Sequence, residues 1–200
     1  MTVVTMFSVP LIHYEIANWH IAKKQILDAL PQECPEHADP QDNGLFTDFF
    51  LTSAKDAKIP EYSDTVINII QPYLSDFSNS ARVEITDMWY QKYYKNVQHS
   101  FHNHGHSGWS AVIYVEFDPK LHEGTRFISP FNNVWNGNLE MYQPPVREGD
   151  MIIFPSTIAH EAPPNRSDVR RTIVSYNMRG HVETVKATLF EDGGLPKIYK

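Results

Sequence analysis

From Ala81 onward the chain is written in short extended runs: Val83 to Tyr90, Tyr93 to Val97, Trp109 to Phe117, Thr125 to Ile128, Met151 to Phe154 and Arg171 to Met178. β-Branched and aromatic residues fill these runs, and Gly, Pro and Asn bound them, which is the pattern of strands ended by turns. A set of short strands cannot bury its apolar faces singly. The strands have to pair antiparallel and close against a second layer, as a sandwich or barrel.

The first part of the chain reads differently. Residues 3–15 look strand-like. Asn18 can then cap a helix in which Trp19, Ala22, Ile26, Leu27 and Leu30 recur at helical spacing. An acidic, proline-containing loop is expected from Pro35 to Asn43. From Pro60 to Phe77, the residues Val66, Ile69, Ile70, Tyr73, Leu74 and Phe77 share one helical face, with Pro72 placed to kink or divide the helix. Both apolar stripes read as core packing against a sheet. With 200 residues, 42% of them hydrophobic and 12% aromatic, the chain suits one packed domain. Helical support is expected over about residues 16–80, a β core over about 81–180 and a tail over about 181–200.

The chemistry concentrates just ahead of one predicted strand. Ser100-Phe101-His102-Asn103-His104-Gly105-His106 places three imidazoles in five residues, and neutral imidazole suits iron, zinc, copper or nickel. Histidines at i and i+2 on an extended segment project to the same side, so His102/His104 and His104/His106 are both possible pairs. Downstream, Gly149-Asp150 leads into Met151-Ile152-Ile153-Phe154-Pro155, followed by His160 and then by Arg170 and Arg171. A rigid sheet can bring His160 to a ligand pair distant in sequence and leave faces of an octahedral metal open for substrates. His99 is expected to precede the site.

In their order, these pieces resemble the 2-oxoglutarate- and Fe(II)-dependent oxygenase superfamily, in particular a group found in bacterial and phage genomes. The group's pattern is His-x-His-Pro, a Ser-Gly-Val-Tyr-Tyr-Val-like strand, Gly-Asp-Leu-hydrophobic-Phe-Pro, a His, and Arg-x-x-x-Ser-Phe-Asn. The counterparts here are His102-Asn103-His104-Gly105, Ser110 to Val115, Gly149 to Pro155, His160, and Arg171-Thr172-Ile173-Val174-Ser175-Tyr176-Asn177. Met6 to Leu11 resembles the group's opening strand, and Arg126 to Pro130 the strand after its first hairpin. The resemblance spans most of residues 5–178.

It implies a mainly β fold with flanking helices, a double-stranded β-helix of jelly-roll, cupin-like form. It also implies Fe(II) held by His102, His104 and His160, with the His102-to-Ser110 spacing favouring His104 over His106. 2-Oxoglutarate and dioxygen would be co-substrates. Arg171 would anchor the distal carboxylate of 2-oxoglutarate, since Arg stays charged and offers paired donors. Arg170 and Arg171 lie on opposite strand faces, so one at most points inward, and Ile173, Ser175 and Asn177 would share the inward face with Arg171. Tyr114 is a second candidate donor to the co-substrate and Ser175 a third, with Tyr90, Tyr93 and Tyr94 unranked alternatives. The expected reaction converts 2-oxoglutarate to succinate and CO2 and hydroxylates an unidentified substrate.

Two departures from the pattern stand out. The wider superfamily places a carboxylate where this chain has His104, and Gly105 replaces the group's proline. Three neutral ligands leave the metal one unit more positive, which favours an anionic co-substrate but grips the metal less firmly. This keeps open a three-histidine, cupin-like enzyme that does not use 2-oxoglutarate, and a non-catalytic metal-binding or assembly domain.

The formal charge of -7, from 17 Lys and Arg against 24 Asp and Glu, gives no electrostatic reason to expect nucleic acid as a partner. The single cysteine, Cys34, cannot close an intramolecular disulfide. No charged-then-apolar leader opens the sequence, and no apolar span is long enough for a bilayer, so no membrane association and a cytoplasmic location are expected. Asn165-Arg166-Ser167 spells a glycosylation triplet and is expected to carry no meaning beyond a loop.

Overall fold

The computed structural model describes residues 8–32, 45–52, 59–78 and 82–181. Cys34, the loop expected over residues 35–43, residues 3–7 of the opening segment and residues 182–200 of the tail lie outside the described residues.

Ten strands form two antiparallel sheets. The larger comprises β1 (Ile12–Glu15), β2 (Phe46–Thr47), β3 (Arg82–Tyr93), β5 (Trp109–Glu116), β8 (Asp150–Pro155) and β10 (Arg171–His181), in the order β1-β8-β5-β10-β3-β2. The smaller comprises β4 (His99–His102), β6 (Arg126–Ile128), β7 (Met141–Tyr142) and β9 (His160–Ala162), in the order β4-β9-β6-β7. Neighbours in each sheet come from distant parts of the chain, as in a jelly roll. The helices are α1 (Trp19–Ala29), α2 (Phe49–Thr52) and α3 (Tyr62–Ser78).

The large sheet is read on both faces. On one, Met88, Tyr90, Ala111, Ile113, Val115, Met151, Ile153, Val174, Tyr176 and Met178 are buried in one cluster with Ala22 and Ile26 of α1 and Val66 and Ile70 of α3. The opposite face presents Tyr93, Val112, Tyr114, Ile152, Phe154 and Ile173, which cluster with Phe127 of the small sheet. Strict alternation along β5, β8 and β10 produces this division.

Several local expectations are corrected. The strand expected from Tyr93 to Val97 ends at Tyr93. Asn96 takes a left-handed conformation (φ 64), Val97 N–H donates to Tyr94 O at 3.1 Å, and Asn96 N–H donates to Asn165 O at 2.7 Å. Asn165 of the glycosylation triplet is buried and structural, its amide donating to Tyr93 O and Val169 O. Pro72 does not divide α3, which runs unbroken through it. Pro72 and Asn68, whose carbonyl loses its helical donor, are both exposed, so water can serve that oxygen.

Asn18 does hold the position before α1, but at φ 53 and without a side-chain cap. The opening strand begins at Ile12, beyond the stretch Ser8 to Leu11. The long loop over 132–145 contains β7.

The Gly149-Asp150 pair shapes the entry to β8. Gly149 has φ 90, and a Cβ there would meet the Trp19 ring at 2.8 Å, so a larger residue would displace α1. Asp150 is buried, accepts the Arg147 N–H at 2.8 Å and pairs with His13 Nε2 at 2.9 Å.

Candidate metal centre

The site lies between the two sheets. In the small sheet His102 of β4 stands directly opposite His160 of β9, and Phe127 of β6 stands opposite His160 on its other side. His104 follows β4, and its N–H donates to Ser156 O at 2.9 Å, which ties the loop to the end of β8. Ser156 Oγ is 2.9 Å from Ser110 Oγ, and Ser110 donates to Asn177 Oδ1 at 2.8 Å, so β5 and β10 brace the same loop. Gly105 turns the chain away at φ 110. Proline, with φ held near −65°, cannot take that conformation, which explains why the group's proline is absent here.

The ligand atoms of His102, His104 and His160 all lie within 4.8 Å of one another. Nδ1 of His102 is 2.7 Å from Ser100 O, and Nδ1 of His160 is 2.9 Å from Ile158 O. A carbonyl can only accept, so both rings carry their proton on Nδ1 and turn the Nε2 lone pair toward the centre. Nε2 of His104 is 3.2 Å from Nε2 of His160. Adjacent ligands of an octahedron with bonds of about 2.1 Å stand about 3.0 Å apart, so the pair is spaced to share an ion.

Burial, reinforced by neighbouring imidazoles, pushes the pKa of His104 and of His160 down to about 3, and burial lowers that of His102. All three are therefore neutral at physiological pH, the form that binds metal. The donor set fits a divalent ion with open coordination positions.

The cleft is nearly closed, with about 20 Å³ of free volume, room for about one water and well below the roughly 300–1,000 Å³ typical of ligand sites. Its walls include Trp89, Gln91, Tyr93, Thr125, Ile173 and Ser175. Ile173 and Ser175 face it on the same side of β10 as Arg171, in the phase expected from the alternation. Arg171 is only 2% exposed and stacks on the Tyr93 ring at 4.2 Å. It donates to Glu123 O at 2.7 Å and Pro163 O at 2.8 Å. Two of its five donors are thus committed to backbone, and burial lowers its pKa. Arg170 points to the other face and forms a two-point pair with Glu116 at 2.8 and 2.9 Å.

Tyr114 is buried, and its hydroxyl donates to Thr125 Oγ1 at 2.9 Å while accepting the Thr125 N–H at 3.1 Å. It thereby reaches the cleft through Thr125, whose own hydroxyl proton remains available. His106 is exposed and outside the cluster.

Three participants went unnoticed in the sequence. His99, expected to precede the site, stacks on His102 with centroids 4.0 Å apart and bonds through Nδ1 to Gln91 Nε2 at 3.0 Å. Gln91 and Thr125 line the cleft. The spacing of His99 three residues before His102 was the available signal for the first. Nothing local marked Gln91 or Thr125. Trp109, at the start of β5, packs edge-on against Phe77 at 5.2 Å.

Fold and site together define a double-stranded β-helix built around a metal-competent cleft. Residues 87–177, which include every residue lining that cleft, match the family described as "Putative 2OG-Fe(II) oxygenase". Solved structures agree in fold. An oxidoreductase of the 2OG-Fe(II) oxygenase family from Burkholderia pseudomallei is 17% identical, with a TM-score of 0.58 over 84% of this chain and 83% of that one. A prolyl-4-hydroxylase from Pseudomonas putida is 12% identical, with a TM-score of 0.58 over 86% and 93%. The epimerase SnoN, in complex with Fe3+, alpha ketoglutarate and nogalamycin RO, is 12% identical, with a TM-score of 0.57 over 84% and 78%. No curated protein matches the chain by sequence. The resemblance read from the sequence is borne out: residues 87–177 are similar to a family of 2OG-Fe(II) oxygenases, whose cofactor and co-substrate are Fe(II) and 2-oxoglutarate. No helix among the described residues is long and apolar enough to cross a membrane.

Proposed function

We propose that the protein is a hydroxylase in which His102, His104 and His160 hold Fe(II) and Arg171 receives the distal carboxylate of 2-oxoglutarate. The observation that carries this reading is the arrangement of three neutral imidazoles, two with Nδ1 locked by backbone carbonyls, in an oxygenase core with a buried arginine on the cleft-facing side of β10. When bound, iron with 2-oxoglutarate and dioxygen supplies the oxidising equivalent, with succinate and CO2 as by-products. The chain's own residues bind and orient. His102 and His160 present their lone pairs in a fixed tautomer. Arg171 offers a permanent positive charge, with Ser175 and the Thr125 hydroxyl, oriented by Tyr114, as further donors near the carboxylate. Trp89, Phe154 and Ile173 make the walls apolar and limit water.

With about 20 Å³ free, the cleft has to widen by side-chain movement to admit 2-oxoglutarate, and the hydroxylated substrate approaches from the open side. As a domain boundary, one unit over residues 1–200 accords with a cleft whose walls come from both sheets. A cytoplasmic enzyme whose partners are 2-oxoglutarate and its substrate, without membrane or nucleic acid, completes the reading.

The lack of any carboxylate in the metal-competent group favours one rival, a three-histidine enzyme that does not use 2-oxoglutarate. Anaerobic titration of the Fe(II)-loaded protein with 2-oxoglutarate separates the two. Saturable binding, followed in air by succinate formation and a product heavier by one oxygen atom, is expected. Stoichiometric Fe(II) binding with no affinity for 2-oxoglutarate would establish the rival.

A further inference from the structure

The hairpin joining β6 to β7 carries exposed apolar surface that the metal cleft does not use. Phe131, Val134, Trp135, Leu139, Met141 and Tyr142 are all exposed, Val134 at 88% and Trp135 at 93%. The tip is nonetheless tightly built. Asn133 N–H donates to Asn138 O at 2.9 Å, Gly137 N–H to Asn133 O at 2.8 Å, and Trp135 N–H to Asn133 Oδ1 at 2.9 Å. Asn133 Nδ2 donates to Glu140 Oε1 at 2.6 Å, and Ser129 N–H to Glu140 O at 2.9 Å. An ordered hairpin therefore holds an indole in water.

Beside the base of that hairpin lies a groove of about 580 Å³, walled by Val9, Leu11, Phe127, Met141, Tyr142 and Ile158 among others. Among the described residues Glu140 is the one charged side chain lining it, and Asn133 already holds its carboxylate.

We propose that this face pairs with a second copy of the chain across a two-fold axis, the Val134–Trp135 tip of each protomer seated in the groove of the other. Knob and socket lie next to each other on one molecule and are both apolar, so the patch is complementary to itself, as an isologous contact requires. A small ligand in the groove would leave Trp135 in water, whereas a second copy covers groove and tip together. The net charge of -7 opposes self-association in general, but this patch contributes a single carboxylate that is hydrogen-bonded within its own hairpin. The area is sufficient. At about 150–250 Å² for a fully buried aromatic side chain, the exposed 57%, 93% and 56% of Phe131, Trp135 and Tyr142 supply roughly half of the about 800 Å² per partner of a standard interface, and Val134, Leu139 and Met141 add to it. Trp135 at the centre is the residue type that most often dominates such contacts.

Sedimentation velocity on the full chain tests the proposal, with circular dichroism and Fe(II) titration confirming that each variant stays folded. Wild type is expected at twice the chain mass. Trp135→Glu and Met141→Lys should each sediment as monomers, since each buries an unpaired charge in both contacts. Mixing the two variants should restore a heterodimer, because one contact is then native and the other pairs the introduced carboxylate with the introduced ammonium. A monomeric wild type, a dimer that survives either substitution, or a mixture that stays monomeric would each overturn the proposal, the first leaving the groove to a small ligand.

Discussion

The two faces of the large sheet are made by the same strands yet do different work. Toward α1 and α3 the strands present Met88, Tyr90, Ile113, Val115, Met151, Ile153, Val174 and Tyr176, all buried. Toward the small sheet they present Trp89, Gln91, Ser110, Val112, Ile173 and Ser175 at the cleft, with Arg171 behind. Apolar side chains dominate the first face, with the buried Lys92 and Thr172 paired at its end, whereas polar groups are interleaved along the second. Because the side-chain period of a strand is two, one residue of slip in β10 would exchange Arg171 and Ser175 for Thr172 and Val174, and would empty both the core and the site. The helical face supplies stability through area removed from water. The cleft face holds polar groups that have to be satisfied individually, by Thr125 for Tyr114, by backbone carbonyls for Arg171 and by His99 for Gln91.

The sharpest test of this division is Ile113→Ala on the helical face. Removing a fully buried side chain should cost about 2–5 kcal/mol in urea unfolding, while the protein that remains folded binds metal with unchanged affinity. A matching loss of metal affinity would mean that the two faces are not separable.

On the other face, His160→Ala should weaken Fe(II) binding by at least about 100-fold, more than loss of an outer-shell partner usually costs. Its far-ultraviolet circular dichroism should be unchanged. Isothermal titration under anaerobic conditions reads the affinity, and near-native affinity would remove His160 from the metal.

The alternation within β10 can be broken at a single pair. Arg171→Ala should raise the dissociation constant for 2-oxoglutarate about 30-fold or more, corresponding to about 2–5 kcal/mol for a lost buried charge contact, with Fe(II) affinity nearly preserved. Arg170→Ala, which severs the Glu116 pair on the opposite face, should leave both affinities close to wild type. Equal effects from the two substitutions would contradict the inward assignment of Arg171.

Acid should also distinguish the faces. His99, His104 and His160 have folded-state pKa values of about 3, against about 6.5 in an unfolded chain, with burial the main cause. The unfolded state then binds more protons, so the metal-free protein should lose stability as pH falls from about 6.5 toward 3 and recover it fully above that window. Denaturation midpoints that stay flat from pH 7 to pH 5 would show that these imidazoles titrate normally. Smallest of all is His106→Ala. This exposed residue lies outside the cluster, and its loss should leave Fe(II) affinity within error of wild type.

The sequence by itself determined whatever repeats over a few residues. The stripes of α1 and α3 and the alternation of β5, β8 and β10 are set by periods of 3.6 or two, which local spacing displays, while the choice of His104 over His106 and of Arg171 over Arg170 came from the family resemblance. Tertiary structure decided the rest. β4, β9 and β7 are two to four residues long, too short for any period to show, yet it is the pairing of β4 with β9 that sets His160 opposite His102. The end of β3 at Tyr93 depends on a hydrogen bond from Asn96 to Asn165, and the place of His99 against His102 depends on Gln91, a neighbour on another strand. The proton positions that leave Nε2 of His102 and of His160 free to bind a metal come from carbonyls whose direction only the folded backbone defines. Spacing could nominate the metal-binding residues, but their assembly required long-range strand pairing, whose partners no local window contains.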